Sequence, residues 1–136
     1  VDMGTGGLVV QVQSREEILA DKWVALAFRP NRIQYRDVWD ILWLERQGMQ
    51  LSMDLLSRKL EDRRHETPQF LDNLSLRITA LADDRAHPRA FRHEMERFLA
   101  GTSLRESLES PEYWSLVVLT LQEQFNRIVQ NSSAIG

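Results

Sequence analysis

The helical spacing of apolar residues constrains the fold of this chain more than any other feature. From Ser14 onward, apolar side chains recur three and four residues apart, which places them on one face of an α-helix. Helix-start residues and glycines divide this pattern into segments. The predicted helices are Ser14 to about Phe28, about Ile33 or Tyr35 to Gln47, Ser52 or its neighbour to about Arg64, Thr67 to about Asp83, Pro88 to Gly101, and Ser110 to about Gln130. We therefore predict a mainly α fold, a helical bundle of about six helices.

The start of the chain has a different character from the rest. Leu8 to Val12 is a short apolar and β-branched run, which predicts one β-strand. A lone strand leaves both edges unpaired, so its partner strands are expected to be missing. The glycine-rich residues 1–7 indicate a linker or a cut edge, or alternatively a cloning scar before a complete domain. The expected division is a linker and strand remnant at 1–13, a helical domain at 14–130 and a flexible tail at 131–136.

Composition excludes several classes of protein. The 136 residues suit one domain, and the net charge of −3 gives no global attraction to nucleic acid or membrane. The absence of cysteine excludes disulfides, a thiol nucleophile and a cysteine-ligated metal. No apolar run approaches the roughly 20 residues of a membrane span. We expect a cytoplasmic protein that does not contact the membrane.

Aromatic and histidine side chains are interpreted as structural. The apolar residues at helical spacing in the predicted fifth helix are Phe91, Met95, Phe98 and Leu99. The four tryptophans are assigned to core or interhelical packing, with Trp39 and Trp43 one turn apart on one side of the second helix. His65, His87 and His93 are scattered in polar surroundings, at spacings typical of neither metal ligands nor a catalytic triad. We assign them no role.

Charged residues set beside apolar helix faces mark the candidate site. Lys22 lies beside the apolar stripe of the first helix, while Asp37 and Asp40 are three residues apart and share a face of the second. Such charges are costly unless they are paired or used in function. Structural explanations exist for each: Lys22 could extend from the core edge to water, Asp37 could favour the helix dipole, and Asp40 could pair within its helix.

Three arginines lie in or beside the loop between these helices. Arg29, Arg32 and Arg36 follow one another with no acid until Asp37. They could bind phosphate or RNA, or they could belong to an ordinary solvated loop. Arg36 could also pair with Asp40, one helical turn further on. Two aspartates without further ligands make a metal site here improbable.

Two sequence patterns in these helices resemble a known family. The first helix carries EILADK at residues 17–22 and AL at 25–26, and the second carries RDVWD at 36–40. In this order and at this spacing they resemble the nucleotidyltransferase AbiEii toxin family of abortive-infection, type IV toxin–antitoxin systems. The patterns of that family are E-I-L-A-[DE]-K-x-x-A-L followed by R-D-[LVI]-[WYF]-D. The resemblance is carried by about Val9 to Leu44, and the remaining helices agree in character.

The resemblance implies an enzyme of the DNA-polymerase-β-like type, which transfers a nucleotide from an NTP to an acceptor such as tRNA. In that family, carboxylates on a small sheet after a Gly-Ser or Gly-Gly turn hold the divalent metal, here expected to be Mg²⁺. Residues 4–7 do not reproduce that turn with its acids. The chain therefore resembles the C-terminal part of such an enzyme, expected alone to be inactive and to bind no metal. The strand would be left from the nucleotidyltransferase-like sheet, and the resemblance also implies a bacterial source and an antitoxin partner.

The resemblance also implies roles for individual residues. Lys22 would face the nucleotide and neutralise phosphate charge. Asp37 and Asp40 match the paired acids of the family, and either orientation of the basic side chains or contact with substrate would suit them. Lys22, Asp37 and Asp40 are thus the expected catalytic residues. The residues expected to bind substrate are Arg29, Arg32 and Arg36.

Two other functions stay open. A non-catalytic helical interaction module could hold an antitoxin or a second copy of the chain, giving a homo-oligomer. A helix-turn-helix DNA-binding domain is a further alternative, because the helix after Gly48 carries several basic residues. These residues are Arg58, Lys59, Arg63 and Arg64. Nearby acids and the acidic balance of the whole chain oppose DNA binding.

Overall fold

The computed structural model describes residues 13–30, 32–98, 108 and 110–135, and six long helices account for most of this part of the chain. They are α1 (Arg15–Phe28), α2 (Tyr35–Arg46), α3 (Met53–Asp62), α4 (Thr67–Asp83), α5 (Ala86–Glu96) and α6 (Pro111–Gln130). The described residues contain no strand, so the prediction of a mainly α fold is confirmed. The predicted strand at Leu8 to Val12 and the predicted stop at Gly101 lie outside the described residues.

Local capping sets several of these boundaries. The Ser14 hydroxyl accepts a hydrogen bond from the Glu17 backbone N–H at 3.2 Å, and this bond opens α1. Ser52 caps α3 in the same way through the Leu55 N–H, also at 3.2 Å. Gly48, at φ +84°, turns the chain after α2 into the left-handed region that glycine tolerates best. The start of α1, the end of α2 and the start of α3 thus follow from single residues.

The fifth helix differs from its prediction at both ends. It begins at Ala86 and not at Pro88, because the Asp84 carboxylate accepts a hydrogen bond from the Ala86 N–H at 2.8 Å. The helix ends at Glu96, so the prediction that Phe98 belongs to it is wrong, and Phe98 is 58% exposed. The Arg36 guanidinium lies 5.3 Å from the centroid of the Phe98 ring, in a cation–π contact.

Helix α1 forms the centre of the packing. It contacts α2, α3 and α4, while α6 packs on α4 and α5 contacts α2. Trp23 on α1 is completely buried, and Trp114 on α6 donates its indole N–H to the Leu81 carbonyl at 3.3 Å. Trp43, in contrast, is 46% exposed, so the assignment of all four tryptophans to packing is wrong for this one. The central place of α1 makes its polar residues the natural junctions between helices.

The end of the chain packs back on the bundle. A short 3₁₀ turn, Ser132–Ala134, follows α6, and Ile135 is only 3% exposed. The Ser57 hydroxyl donates to the Ile135 carbonyl at 2.6 Å. Residues 131–135, predicted to be a flexible tail, are therefore attached to α3. Among the described helices none combines the length and the apolar character needed to cross a membrane.

Candidate functional site

Helices α1 and α2 bring a lysine and two carboxylates together. The Lys22 Nζ lies 3.3 Å from the Asp37 Oδ1 and 3.0 Å from the Asp40 Oδ2. Both aspartates can reach one ammonium because residues three apart on a helix share a face. We call Lys22, Arg29, Arg36, Asp37 and Asp40 the Lys22 cluster.

Asp37 is the buried centre of the Lys22 cluster. Its side chain is 1% exposed, and it is the one charged residue that is fully buried among those described. Arg29 donates to both oxygens of this carboxylate, from Nε at 3.0 Å and from Nη2 at 3.2 Å. These hydrogen bonds and the charge of Asp37 raise the pKa of Arg29 above its ordinary value. A carboxylate that receives Lys22 and a bidentate arginine fixes the positions of both cations.

The other side of the Lys22 cluster opens to solvent. The side chain of Lys22 is 23% exposed and that of Asp40 is 25% exposed. The Arg36 Nε lies 3.4 Å from Asp40, as the spacing of one helical turn predicts. Three cations face two carboxylates, so one positive charge is left over for an anion that approaches from outside.

The loop between α1 and α2 is held by an arginine that the sequence does not mark. Arg77 on α4 donates to three backbone carbonyls: those of Leu26 at 3.2 Å, Arg32 at 2.8 Å and Arg29 at 2.7 Å. The carbonyls at the end of α1 have no partner within their own helix, and a guanidinium can satisfy several at once. Arg77 therefore fixes the loop from which Arg29 reaches Asp37. No pattern in the neighbouring residues of α4 signals this long-range role.

A cavity of about 450 Å³ adjoins the Lys22 cluster. Its lining combines cationic side chains, an aromatic pair and the outer surface of α1. The lining includes Asp21, Lys22, Phe28, Arg29, Arg63 and His65. A volume of this size falls within the range of small-ligand sites.

Arg32 points elsewhere. It takes part in no ion pair with the described residues, and it lines a second cavity of about 420 Å³ with Tyr35 and His87. The Tyr35 hydroxyl and the His87 Nδ1 are 2.7 Å apart in that cavity, a hydrogen bond that sequence reasoning missed. Burial, with the charges of nearby acids, raises the pKa of Tyr35. Of the three arginines predicted to bind substrate, the structure brings Arg29 and Arg36 to the aspartates and leaves Arg32 apart.

The Lys22 cluster does not suit a metal ion. Within the described ranges, no group of three or more His, Asp or Glu side chains is placed to hold one. Both carboxylates contact cationic side chains of the chain itself. Mg²⁺ prefers several oxygen ligands in near-octahedral geometry, which two aspartates paired with cations do not offer.

The fold and the Lys22 cluster define a class of protein: a helical domain that holds a lysine between two carboxylates beside a cationic cavity. A family model described as "Nucleotidyl transferase AbiEii toxin, Type IV TA system" matches residues 1–130. The chain belongs to this family, which confirms the resemblance found in the first two helices. No curated protein and no solved structure matches the chain significantly.

Proposed function

We propose that this chain serves a nucleotidyltransferase toxin that transfers a nucleotide from an NTP to an acceptor such as tRNA. The main support for this proposal is the contact of Lys22 with Asp37 and Asp40 at the edge of a cationic cavity. Family membership supports the reaction class. The chain would supply the helical, substrate-side wall of the nucleotide site.

Lys22 would bind the triphosphate directly. An ammonium has three N–H donors; Asp37 accepts one of them at 3.3 Å and Asp40 lies within ion-pair distance at 3.0 Å, which leaves a donor for a phosphate oxygen. The carboxylates also keep the side chain from collapsing onto the apolar stripe of α1. A preplaced cation stabilises charge that develops on a transferred phosphoryl group without reorganisation at the moment of reaction.

The two aspartates would have different tasks. Asp37, buried and bonded to Arg29 as well as to Lys22, would act as a positioning residue that does not touch the substrate. Asp40 is partly exposed and shares Arg36, so an arriving phosphate could take over that arginine. Arg29 and Arg36 would then assist Lys22, while Arg32 would contact a more distant part of the acceptor.

The proposed reaction would also involve a metal ion, a partner protein and a cellular compartment. A nucleoside triphosphate carries Mg²⁺ in solution, and the full-length enzyme is expected to use this metal, but the described residues do not offer ligands that fit it. A type IV toxin family suggests an antitoxin partner. A reducing cytoplasm, where NTPs and tRNA occur, suits a chain without cysteine.

Nucleotide binding by the full-length protein tests the role of Lys22, and the chain offers a matched control. Lys59 on α3 also lies near two carboxylates, 3.5 Å from Asp21 and 3.7 Å from Glu17, but it does not line the cavity. By calorimetry, Lys22→Ala should weaken NTP binding at least about tenfold, because a charge-assisted phosphate contact is lost. Lys59→Ala should change binding by less than about twofold. Unchanged binding in Lys22→Ala would refute the proposal.

A protein-interaction module is the second candidate, and one surface favours it. A groove of about 340 Å³ between α2 and α6 is lined by Leu42, Tyr113 and Leu116, with Leu116 itself 47% exposed. Exposed Trp43 borders the adjoining depression. Mass measured over a range of protein concentrations would detect self-association, and Leu116→Gln should abolish any that uses this groove.

Helix-turn-helix DNA binding is disfavoured by the contacts of α3. Lys59 and Arg63 both contact Asp21 on α1, and Arg58 pairs with Asp54 at 3.1 Å. These basic side chains are therefore directed to acids of the chain itself, and few are left to contact phosphates of DNA. Salt-dependent binding to duplex DNA would be needed to restore this alternative.

A further inference from the structure

Three aromatic rings form a stack that ends at the cavity beside Lys22. Phe70 on α4 is fully buried, and its ring centroid lies 6.2 Å from that of Phe28 on α1. The His65 ring covers Phe28, with centroids 3.6 Å apart and planes only 4° from parallel. Both Phe28 and His65 border the cavity that also contains Lys22 and Arg29.

The position of His65 is fixed by the backbone that follows α3. Arg64, just after α3, adopts φ +56°, an uncommon conformation for a residue with a side chain. The His65 N–H then donates to the Leu60 carbonyl at 2.9 Å, which closes the end of the helix. This backbone places residue 65 where its imidazole stacks on Phe28. Across the described residues no second ring packs against His65.

We propose that this cavity takes the base of a nucleoside triphosphate, which stacks with His65 while the phosphates bind Lys22 and Arg29. The inference rests on the proposed function and adds the location of the base. Two chemistries meet in one cavity of about 450 Å³: an aromatic wall suited to a base, and cations suited to phosphates. Stacking tolerates any base, so His65 contributes affinity and not a preference among nucleotides.

The ion pair of Asp21 and Arg63 lies at the edge of the same cavity. These two side chains offer an acceptor and several donors to the edge of a stacked base. The cavity therefore has the composition of a nucleotide site: an aromatic platform, hydrogen-bonding groups beside it, and cations at one end. Asp21 thus holds Arg63 at the edge of the cavity.

A comparison of nucleotides with tripolyphosphate separates the base from the phosphates. Calorimetry on the full-length protein, at one Mg²⁺ concentration, measures the Kd of ATP, GTP, CTP, UTP and inorganic tripolyphosphate. His65→Ala should weaken binding of the nucleotides about fivefold or more, the range expected for loss of one stacked base. It should change tripolyphosphate binding by less than about twofold, because that probe has no base. His65→Phe should preserve nucleotide affinity, since an aromatic ring remains.

Controls keep this inference distinct from the proposed function. His93 is exposed on α5 and does not line the cavity, so His93→Ala should leave every Kd unchanged. If His65→Ala affects nucleotides and tripolyphosphate equally, or affects neither, the base site is refuted. If Lys22→Ala leaves both kinds of probe unaffected, the proposed function itself fails. Unchanged tripolyphosphate binding by His65→Ala excludes the explanation that this variant merely disturbs folding, because the phosphate end of the cavity is then intact.

Discussion

Two adjacent residues of α1, Asp21 and Lys22, anchor two charge clusters of opposite arrangement. Asp21 is an anion between two cations, Lys59 and Arg63 of α3. Lys22 is a cation between two anions of α2. The Asp21 cluster is partly exposed throughout, with side chains 17–43% accessible, whereas the Lys22 cluster contains one fully buried member, Asp37, at 1%.

This difference in burial indicates that the Asp21 cluster joins two helices, whereas the Lys22 cluster fixes the positions of its cations. Ion pairs in contact with water contribute little to stability, and the Asp21 cluster mainly aligns α3 against α1. A buried carboxylate costs several kcal/mol in lost hydration, which its partners must offset. Apolar residues would have joined α1 to α2 at lower cost. We infer that the Lys22 cluster is kept for the position of its cations.

Among the substitutions in the two clusters, Asp37→Ala should destabilise the protein most. The substitution removes the carboxylate that fixes Lys22 and Arg29, and we expect the free energy of unfolding to fall by about 2 kcal/mol. The loss stays below that of a fully buried pair because both cations can reach water. Urea denaturation measures it, and Asp40→Ala, on the same helix but 25% exposed, should lose less. Equal losses for the two variants would contradict the special status of Asp37.

Arg77→Met should have the next largest effect. It leaves three backbone carbonyls without their donor, and we expect a loss of about 1.5 kcal/mol. Amide hydrogen exchange should also accelerate in the loop from residue 29 to residue 35, while the rest of α1 stays protected. Arg58→Met, which removes an exposed pair with Asp54, is the control and should change neither quantity measurably. An unaltered exchange rate in the loop would show that Arg77 does not hold it.

Glu45 is a partly buried acid that, unlike Asp21 and Asp37, forms no ion pair with the residues that the structure describes. Burial raises its pKa from 4.5 to about 7, and the charge of Arg127 opposes this only in part. The unfolded chain therefore releases this proton first, and stability falls as the pH rises from about 4.5 to about 7. Glu45→Gln should remove that fall and gain about 1 kcal/mol at pH 8, a value reduced for solvent screening.

Thermal melts at pH 4 and pH 8 test the prediction for Glu45. The variant and the wild type should melt at nearly the same temperature at pH 4, where the carboxyl is mostly protonated in both the folded and the unfolded chain. The variant should melt a few degrees higher at pH 8. Glu61→Gln, at an exposed position of α3, is the control. A gain of the same size at both pH values would mean that the charge of Glu45 is not the cause.

The sequence predicts the fold where local rules decide it. Ser14, Ser52 and Gly48 act on their own neighbours, and the structure places the ends of helices where these residues predict them. Asp84 also acts locally, but the pattern with Pro88 concealed its capping role and displaced the start of α5. Exposure of Trp43 was not predictable because helical spacing shows which face a residue is on, and not what packs there.

The candidate site was predictable only in part for a similar reason. Lys22, Asp37 and Asp40 could be found because each lies on a regular helix within a pattern that resembles a family. Arg77 and His65 act across 51 and 37 positions of sequence, on Leu26 and Phe28. Such contacts depend on how α3 and α4 pack against α1, which no local pattern encodes. The resemblance to the family indicates which residues would take part in the chemistry. Only the packing of the helices shows that Arg77 and His65 lie beside them.

Asp21→Asn should have the smallest effect, a decrease of about 0.5 kcal/mol in the free energy of unfolding. A small decrease is what the partial exposure of the Asp21 cluster predicts. Lys59 and Arg63 are partly exposed and can return to water, so removal of the charge between them costs little. The loss should shrink further between 0.05 and 1 M salt, since screening weakens exposed pairs, whereas the loss in Asp37→Ala should persist. Urea denaturation at both salt concentrations measures this contrast. If the two aspartates respond to salt alike, burial does not distinguish their clusters, and the positions of the cations do not explain why Asp37 is buried.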